Sequence, residues 1–132
     1  MPPHGGERSM DAVIIVEGKK DKLRLSRVLS SDIAIYCTHG TLNDRRLNAL
    51  RRLVGSRPVY LFLDNDRSGR RIRGMLSEVF PDAEHIYTRR GYRGVEGTPE
   101  EYLIQQLEKA GLDEYIVYPE DLCPPYDHGK FG

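Results

Sequence analysis

Cysteine is scarce in this chain. Cys37 and Cys123 are the only two in 132 residues, which excludes a disulfide framework and a cysteine-based zinc site. No stretch approaches the roughly 20 consecutive apolar residues that a membrane-crossing helix needs. The N-terminal residues also lack the apolar segment of a secretion signal. A cytoplasmic protein with no membrane partner is the expectation. An excess charge of one sign is missing too, since 20 Lys plus Arg balance 20 Asp plus Glu. The balance is uneven along the chain: residues 1–93 hold 18 basic against 11 acidic side chains, and residues 94–132 hold 2 against 9. A basic body suits a polyanionic ligand. Two oppositely charged faces that attract each other would give the same counts.

What is present fits one domain with a modest core, at 39% hydrophobic residues. Residues 1–10 are rich in Pro, Gly and polar groups and read as a disordered leader. The folded domain is expected over 11–118, and 119–132, with Pro124-Pro125, reads as an irregular tail. Short apolar runs follow one another at Asp11–Val16, Ile33–Cys37, Val59–Leu63 and Ala83–Tyr87. Each is bounded by turn residues, as strands buried on both faces are. Cys37 falls in one of them and reads as core, and Cys123 reads as inert.

Helical patterns lie between the strands. Leu23, Val28 and Leu29 mark the first helix, and Leu42, Leu47, Leu50 and Val54 mark the second, with Gly55 placed to end it. Ile72, Met75, Leu76 and Val79 mark the third. Thr98-Pro99-Glu100-Glu101 combines an N-cap, a proline at the first helical position and a capping-box glutamate, with the helix ending near Gly111. Tyr115–Tyr118 suggests one more strand. Strands alternating with helices predict an α/β fold: a central, mainly parallel four-stranded sheet flanked by helices in three Rossmann-like layers.

Right-handed crossovers place every strand's carboxyl end on one edge, where ligands of open α/β sheets bind. That edge collects Glu17, Gly18, His39, Gly40, Asp64 and Asp66. Asp64 and Asp66, two residues apart after a buried strand, can aim two carboxylates at one hard cation such as Mg²⁺. A plain turn at Asp64 and a helix cap at Asp66 fit the same residues. Glu17 after the first strand is a candidate general acid, general base or further metal ligand. Gly18 lets the chain turn and a phosphate approach the backbone. Asp21 is also well placed to open the first helix. His39 is either an acid/base or an exposed loop histidine. Arg67, Arg70, Arg71 and Arg73 suit either phosphate contacts or a solvated helix face, and Arg71 is the choice for phosphate. Tyr87, Arg89, Arg90, Tyr92 and Arg93 mix aromatics with arginines as single-stranded nucleic-acid surfaces do. A mobile surface loop accounts for them equally well.

In this order, the motifs resemble those of Toprim domains. Glu17-Gly18-Lys19-Lys20-Asp21 is similar to the family's E-G-x-x-D, and Asp64-Asn65-Asp66-Arg67-Ser68-Gly69 to its D-x-D-x-x-G. Gly40 falls where the family has a glycine after its second strand. The likeness covers roughly residues 11–110. Asp64-x-Asp66-x-x-Gly69-x-x-Ile72-Arg73 and Gly94-Val95-Glu96 look most similar to the ribonucleases that mature 5S ribosomal RNA. Bacterial primases carry related domains.

The resemblance implies a metal-dependent nuclease acting on RNA or DNA. Glu17 would be the general acid or base, Asp64 and Asp66 would hold Mg²⁺ (or Mn²⁺ in its place), and Glu17 would be a possible further ligand. Beside these, Gly18, Lys19, Gly40, Gly69 and Arg71 are the candidates for substrate and phosphate contacts, with Asp21, His39 and Arg67 in lesser roles. Ser68 stands where topoisomerases often carry a third acid, which argues against topoisomerase chemistry. The chain looks like a Toprim domain standing alone. Two alternatives follow: a non-catalytic module that binds nucleic acid or a partner protein, and the catalytic half of a two-chain primase- or topoisomerase-like assembly.

Overall fold

The computed structural model describes residues 11–39 and 42–118. The expected leader (1–10), the tail (119–132, with Cys123) and Gly40 lie outside the described residues. The elements are β1 (Val13–Val16), α1 (Lys19–Ser26), β2 (Ala34–Cys37), α2 (Asp44–Val54), β3 (Val59–Phe62), α3 (Arg67–Val79), β4 (Glu84–Ile86) and α4 (Glu100–Lys109), followed by a 3₁₀ turn at Asp113–Tyr115. The four strands form one parallel sheet in the order β2-β1-β3-β4.

Both faces of the sheet are covered, so the strands are apolar throughout rather than alternating. All four residues of β1 are buried. Ile14 and Val16 point into a core with Leu25, Phe62, Leu103 and Leu107, under α1 and α4. Val13 and Ile15 point the other way, into a core with Leu47, Val54, Leu61 and Leu76 under α2 and α3. The expected three-layer α/β architecture is the one observed.

From β1 the chain crosses to β2 on one side and then returns to β3 on the other. The winding direction therefore reverses between β1 and β3, and a crevice opens beyond their carboxyl ends. Gly55 closes α2 with φ of 67°, as its position suggested.

Three details differ from expectation. Tyr115–Tyr118 is not a sheet strand: Ile116 makes an isolated antiparallel bridge with Leu29, and the Val117 amide donates to the Val28 carbonyl. The segment is bound to the α1–β2 connection and never reaches the sheet. Leu23 is 66% exposed, while Leu25 takes the buried position on α1, and Val28 and Leu29 lie past the helix end. Thr98 does not cap α4, which starts one residue later with Pro99 as its N-cap. The Thr98 hydroxyl donates instead to the Gly94 carbonyl, and the Thr98 carbonyl accepts from Arg24.

Candidate active site

Glu17 leaves the end of β1, and Asp64 and Asp66 lie just beyond the neighbouring β3. The three carboxylates line one open cavity with Gly18, Lys19, Asp21, Arg93 and Glu96. Each acid is held by its local backbone. Asp66 caps α3, its Oδ1 accepting from the Gly69 amide at 2.7 Å. Asp21 Oδ2 accepts from the Gly18 amide at 3.0 Å across the first turn of α1. Asp64 Oδ1 accepts from the Val95 amide at 3.3 Å, a contact from 31 residues away. The Ser68 hydroxyl donates to Glu17 Oε2 at 3.2 Å, so the two motifs touch directly. The capping role open to Asp66 is realised, and it leaves the side chain on the cavity wall.

Two glycines shape the seat of Asp64. A Cβ on Gly69 would lie 1.8 Å from the Asp64 carbonyl oxygen, so α3 begins closer to β3 than any side chain allows. A Cβ on Gly94 would lie 2.4 Å from Asp64 Oδ1, and Gly94 has φ of 62°. Residues 93–98 curl into a tight turn, with the Gly97 amide on the Arg93 carbonyl. That turn presses against the Asp64 carboxylate.

Burial pushes the Glu17 carboxyl above the ordinary range; the Ser68 hydroxyl pulls it back, and Asp64, Asp66 and Asp21 push it further up. Asp64 is also raised, first by burial and then by Asp66, against the lowering effect of the Val95 amide. Asp21 is raised by burial, with Asp64 and Glu96 adding to the effect of desolvation. Three crowded carboxylates thus resist ionising together.

A hard cation would relieve that repulsion, and the all-oxygen donor set fits Mg²⁺ or Mn²⁺. Among the described residues no three acidic, His or Cys side chains converge into a closed metal cage. Mg²⁺ needs none, since it keeps several waters and takes one or two carboxylates. Asp64 and Asp66 each commit Oδ1 to a backbone amide, which helps to fix the orientation of both carboxylates.

The other candidates are dispersed. Gly18 and Lys19 line the acidic cavity, whereas Arg67 and Arg71 lie with Ser68 in an adjoining recess that also touches Glu17. Gly69 is buried beneath Asp64 and works through the backbone. The exposed His39 has φ of 21° and lines a separate apolar recess with Cys37 and Leu53. Its amide donates to the Glu17 carbonyl at 2.9 Å, so it meets the site through the main chain. Cys37 is half-buried, and its thiol donates to the Gly18 carbonyl.

Arg73, which the sequence grouped with the phosphate candidates, is only 5% exposed. Its guanidinium donates to the carbonyls of Leu61, Leu63 and Ile86 at 3.2, 2.6 and 2.6 Å and lies 4.0 Å from the centre of the Tyr87 ring. It ties the end of β3 to β4. The sequence placed Arg93 only among the loop's arginines and Gly94-Val95-Glu96 only in the ribonuclease-like pattern; that Arg93 and Glu96 line the acidic cavity, and that the Val95 amide holds Asp64, was not anticipated. The signal available for the turn was its Gly-Val-Glu-Gly sequence, with one apolar residue between glycines.

Comparison with known proteins agrees with the fold. Residues 12–93 match the Toprim domain family. The chain belongs to the Toprim domain family. A solved Toprim relative, described as a small TOPRIM domain protein from Bacillus stearothermophilus, superposes with a TM-score of 0.71 at 40% identity, over 77% of this chain and 86% of that one. The Bacillus subtilis protein YusF is 33% identical over 84% of this chain and 76% of its own length. Ribonuclease M5 of Lactococcus lactis is 34% identical over 84% of this chain and 57% of its own length. Ribonuclease M5 of Mycoplasma pneumoniae is 35% identical over 61% of this chain. The chain thus spans about half the length of these two ribonuclease relatives, at 57% and 45%. No helix among the described residues is long and apolar enough to cross a membrane.

Proposed function

We propose that this Toprim domain is a divalent-metal-dependent phosphodiesterase that cleaves nucleic acid in the cytoplasm, with RNA as the favoured substrate and RNA processing as its setting. The observation that carries the reading is the shared cavity: Glu17 from β1 and Asp64 and Asp66 from β3 meet at the crevice where the winding reverses. The likeness to proteins named Ribonuclease M5 supports the choice of RNA over DNA.

Asp64 and Asp66 would hold Mg²⁺, or Mn²⁺ in its place, with Glu17 as a possible third ligand. The bound ion would supply Lewis-acid polarisation of the phosphoryl oxygen. Glu17 moves the proton. Water adds to phosphorus, the P–O ester bond breaks, the water proton is lost to a base and the leaving oxygen takes one up. Glu17 shares the cavity with both aspartates, which places its carboxyl where a proton can pass to the leaving oxygen. Gly18 and Lys19 on the cavity wall, with Arg71 beside it, are placed to meet phosphate. Arg89 lies 4.1 Å from the centre of the Tyr102 ring, and Tyr92 packs against the same ring at 5.3 Å. Such an array suits the approach of a strand.

One observation favours a second reading, a module that binds nucleic acid or a partner protein without cutting it. Both aspartates already serve the backbone, as cap and as anchor for the 94–95 turn. Cleavage assays on structured RNA, single-stranded DNA and duplex DNA, in Mg²⁺, Mn²⁺ and EDTA, separate the two. Metal-dependent cutting that is lost in the Asp64→Ala, Asp66→Ala double variant supports the phosphodiesterase. Binding without cutting rejects it in favour of the module.

A further inference from the structure

Glu17 borders a second space besides the acidic cavity. On its other side lies a recess of about 490 Å³ lined also by Leu42, Arg67, Ser68, Arg71, Ile72 and Met75. Five of these six come from α3 in two rows. Arg67, Arg71 and Met75 are four residues apart, as are Ser68 and Ile72, so they share one stripe of the helix. The stripe is polar and cationic from Arg67 to Arg71, with Ser68 bonded to Glu17, and apolar at Ile72 and Met75, with Leu42 also in the lining. Arg67 and Arg71 are exposed and carry two positive charges at the mouth, while Ile72 and Met75 are half-buried. Their apolar surface is reached from the recess.

An anion-attracting end and an apolar end, in one space that opens beside a phosphodiester site, match the two parts of a nucleotide. The volume falls within the range, roughly 300–1,000 Å³, that takes one small-molecule-sized group. A single base fits such a space; a base pair still stacked in a duplex does not enter it. A base must be unpaired or flipped out to be read in a pocket of this kind.

We infer that the recess is a subsite for one unpaired nucleotide next to the scissile phosphate, with its base against Leu42, Ile72 and Met75 and its phosphate against Arg67 and Arg71. This rests on the phosphodiesterase reading and adds a substrate class: strands cut at unpaired positions.

The test uses the full chain in Mg²⁺ with three RNA substrates of one sequence: single-stranded, duplex with one bulged nucleotide, and fully paired. The single strand and the bulge are cut about tenfold faster or more than the duplex, since only an unpaired base enters the recess. The Arg67→Ala, Arg71→Ala double variant raises KM for the single strand about tenfold, with a smaller change in kcat, and erases the preference over duplex. Both arginines are exposed, so the melting temperature of that variant is unchanged and reports intact folding. Met75→Ala, a milder change at the apolar end, lowers the preference without altering the duplex rate. Equal cutting of the three substrates, or a preference that survives in the arginine variant, overturns the subsite and leaves the phosphodiesterase standing. No cutting of any substrate in Mg²⁺ or Mn²⁺ overturns both.

Discussion

Gly94→Ala tests the link between the 93–98 turn and the acidic cavity. The new methyl would sit 2.4 Å from Asp64 Oδ1 and 2.7 Å from Cγ, far inside contact distance. Gly94 also has φ of 62°, where an L-residue costs roughly 1–2 kcal/mol. Gly55→Ala is the control: its φ is 67°, and a Cβ there meets nothing within 4 Å. With ψ of −136° Gly55 lies outside the left-handed helical region, so the control carries a backbone strain of about 1–3 kcal/mol with no side-chain clash. In Gly94→Ala the Asp64 carboxylate must swing away, which breaks its bond with the Val95 amide. A hydrogen bond to a charged group contributes about 1.5–3 kcal/mol.

At about 3–6 °C per kcal/mol for a domain of this size, Gly55→Ala melts about 3–18 °C low and Gly94→Ala about 8–30 °C low. The decisive readout is metal binding by calorimetry or by Mg²⁺-dependent thermal shift. Loss of a partner that orients a metal ligand weakens metal affinity by about 10–100-fold. Gly94→Ala shows that loss and Gly55→Ala does not. Equal Mg²⁺ affinity in the two variants would refute the claim that the turn seats Asp64.

Glu17→Gln keeps the shape of the side chain but removes the transferable proton, so cleavage is abolished while Mg²⁺ binding, measured by calorimetry, stays near wild type; residual activity at the wild-type rate removes Glu17 from the mechanism. Glu17, Asp21 and Asp64 all have carboxyls raised by burial in the folded state. The folded chain therefore binds protons more tightly than the unfolded one, and stability falls as pH rises from the ordinary carboxyl range through the raised values. Melting temperatures in EDTA across that window record the fall, and Mg²⁺ reduces it; a rise with pH contradicts the sign. Arg73→Leu leaves the carbonyls of Leu61, Leu63 and Ile86 without their donor, at about 1–3 kcal/mol for each group left unsatisfied. The variant melts well below wild type, and an unchanged melting temperature would show that Arg73 is not the tie between β3 and β4.

The sequence alone determined the strands and the junctions where the acids sit. Val13–Val16 and Val59–Phe62 are apolar on every residue because both sheet faces are covered, and the first polar residues after them mark the binding edge. The Glu17 and Asp64-x-Asp66 motifs were legible for that reason: each is local, and each follows a run that could only be a buried strand.

The tertiary structure decided what local patterns do not encode. Strand order makes β1 and β3 neighbours and so brings Glu17 within reach of Ser68, 51 residues away. The same holds for the Val95 amide on Asp64 and for Arg24 on the Thr98 carbonyl, while the Thr98 hydroxyl turns back to the Gly94 carbonyl instead of capping α4. Arg73 followed the same rule. Its charge suggested solvent or phosphate, yet three carbonyls left by the strand ends gave its guanidinium a buried place. Hydrogen bonds between segments far apart in the chain leave no periodicity in either segment, so they are visible only once the sheet has brought the ends together.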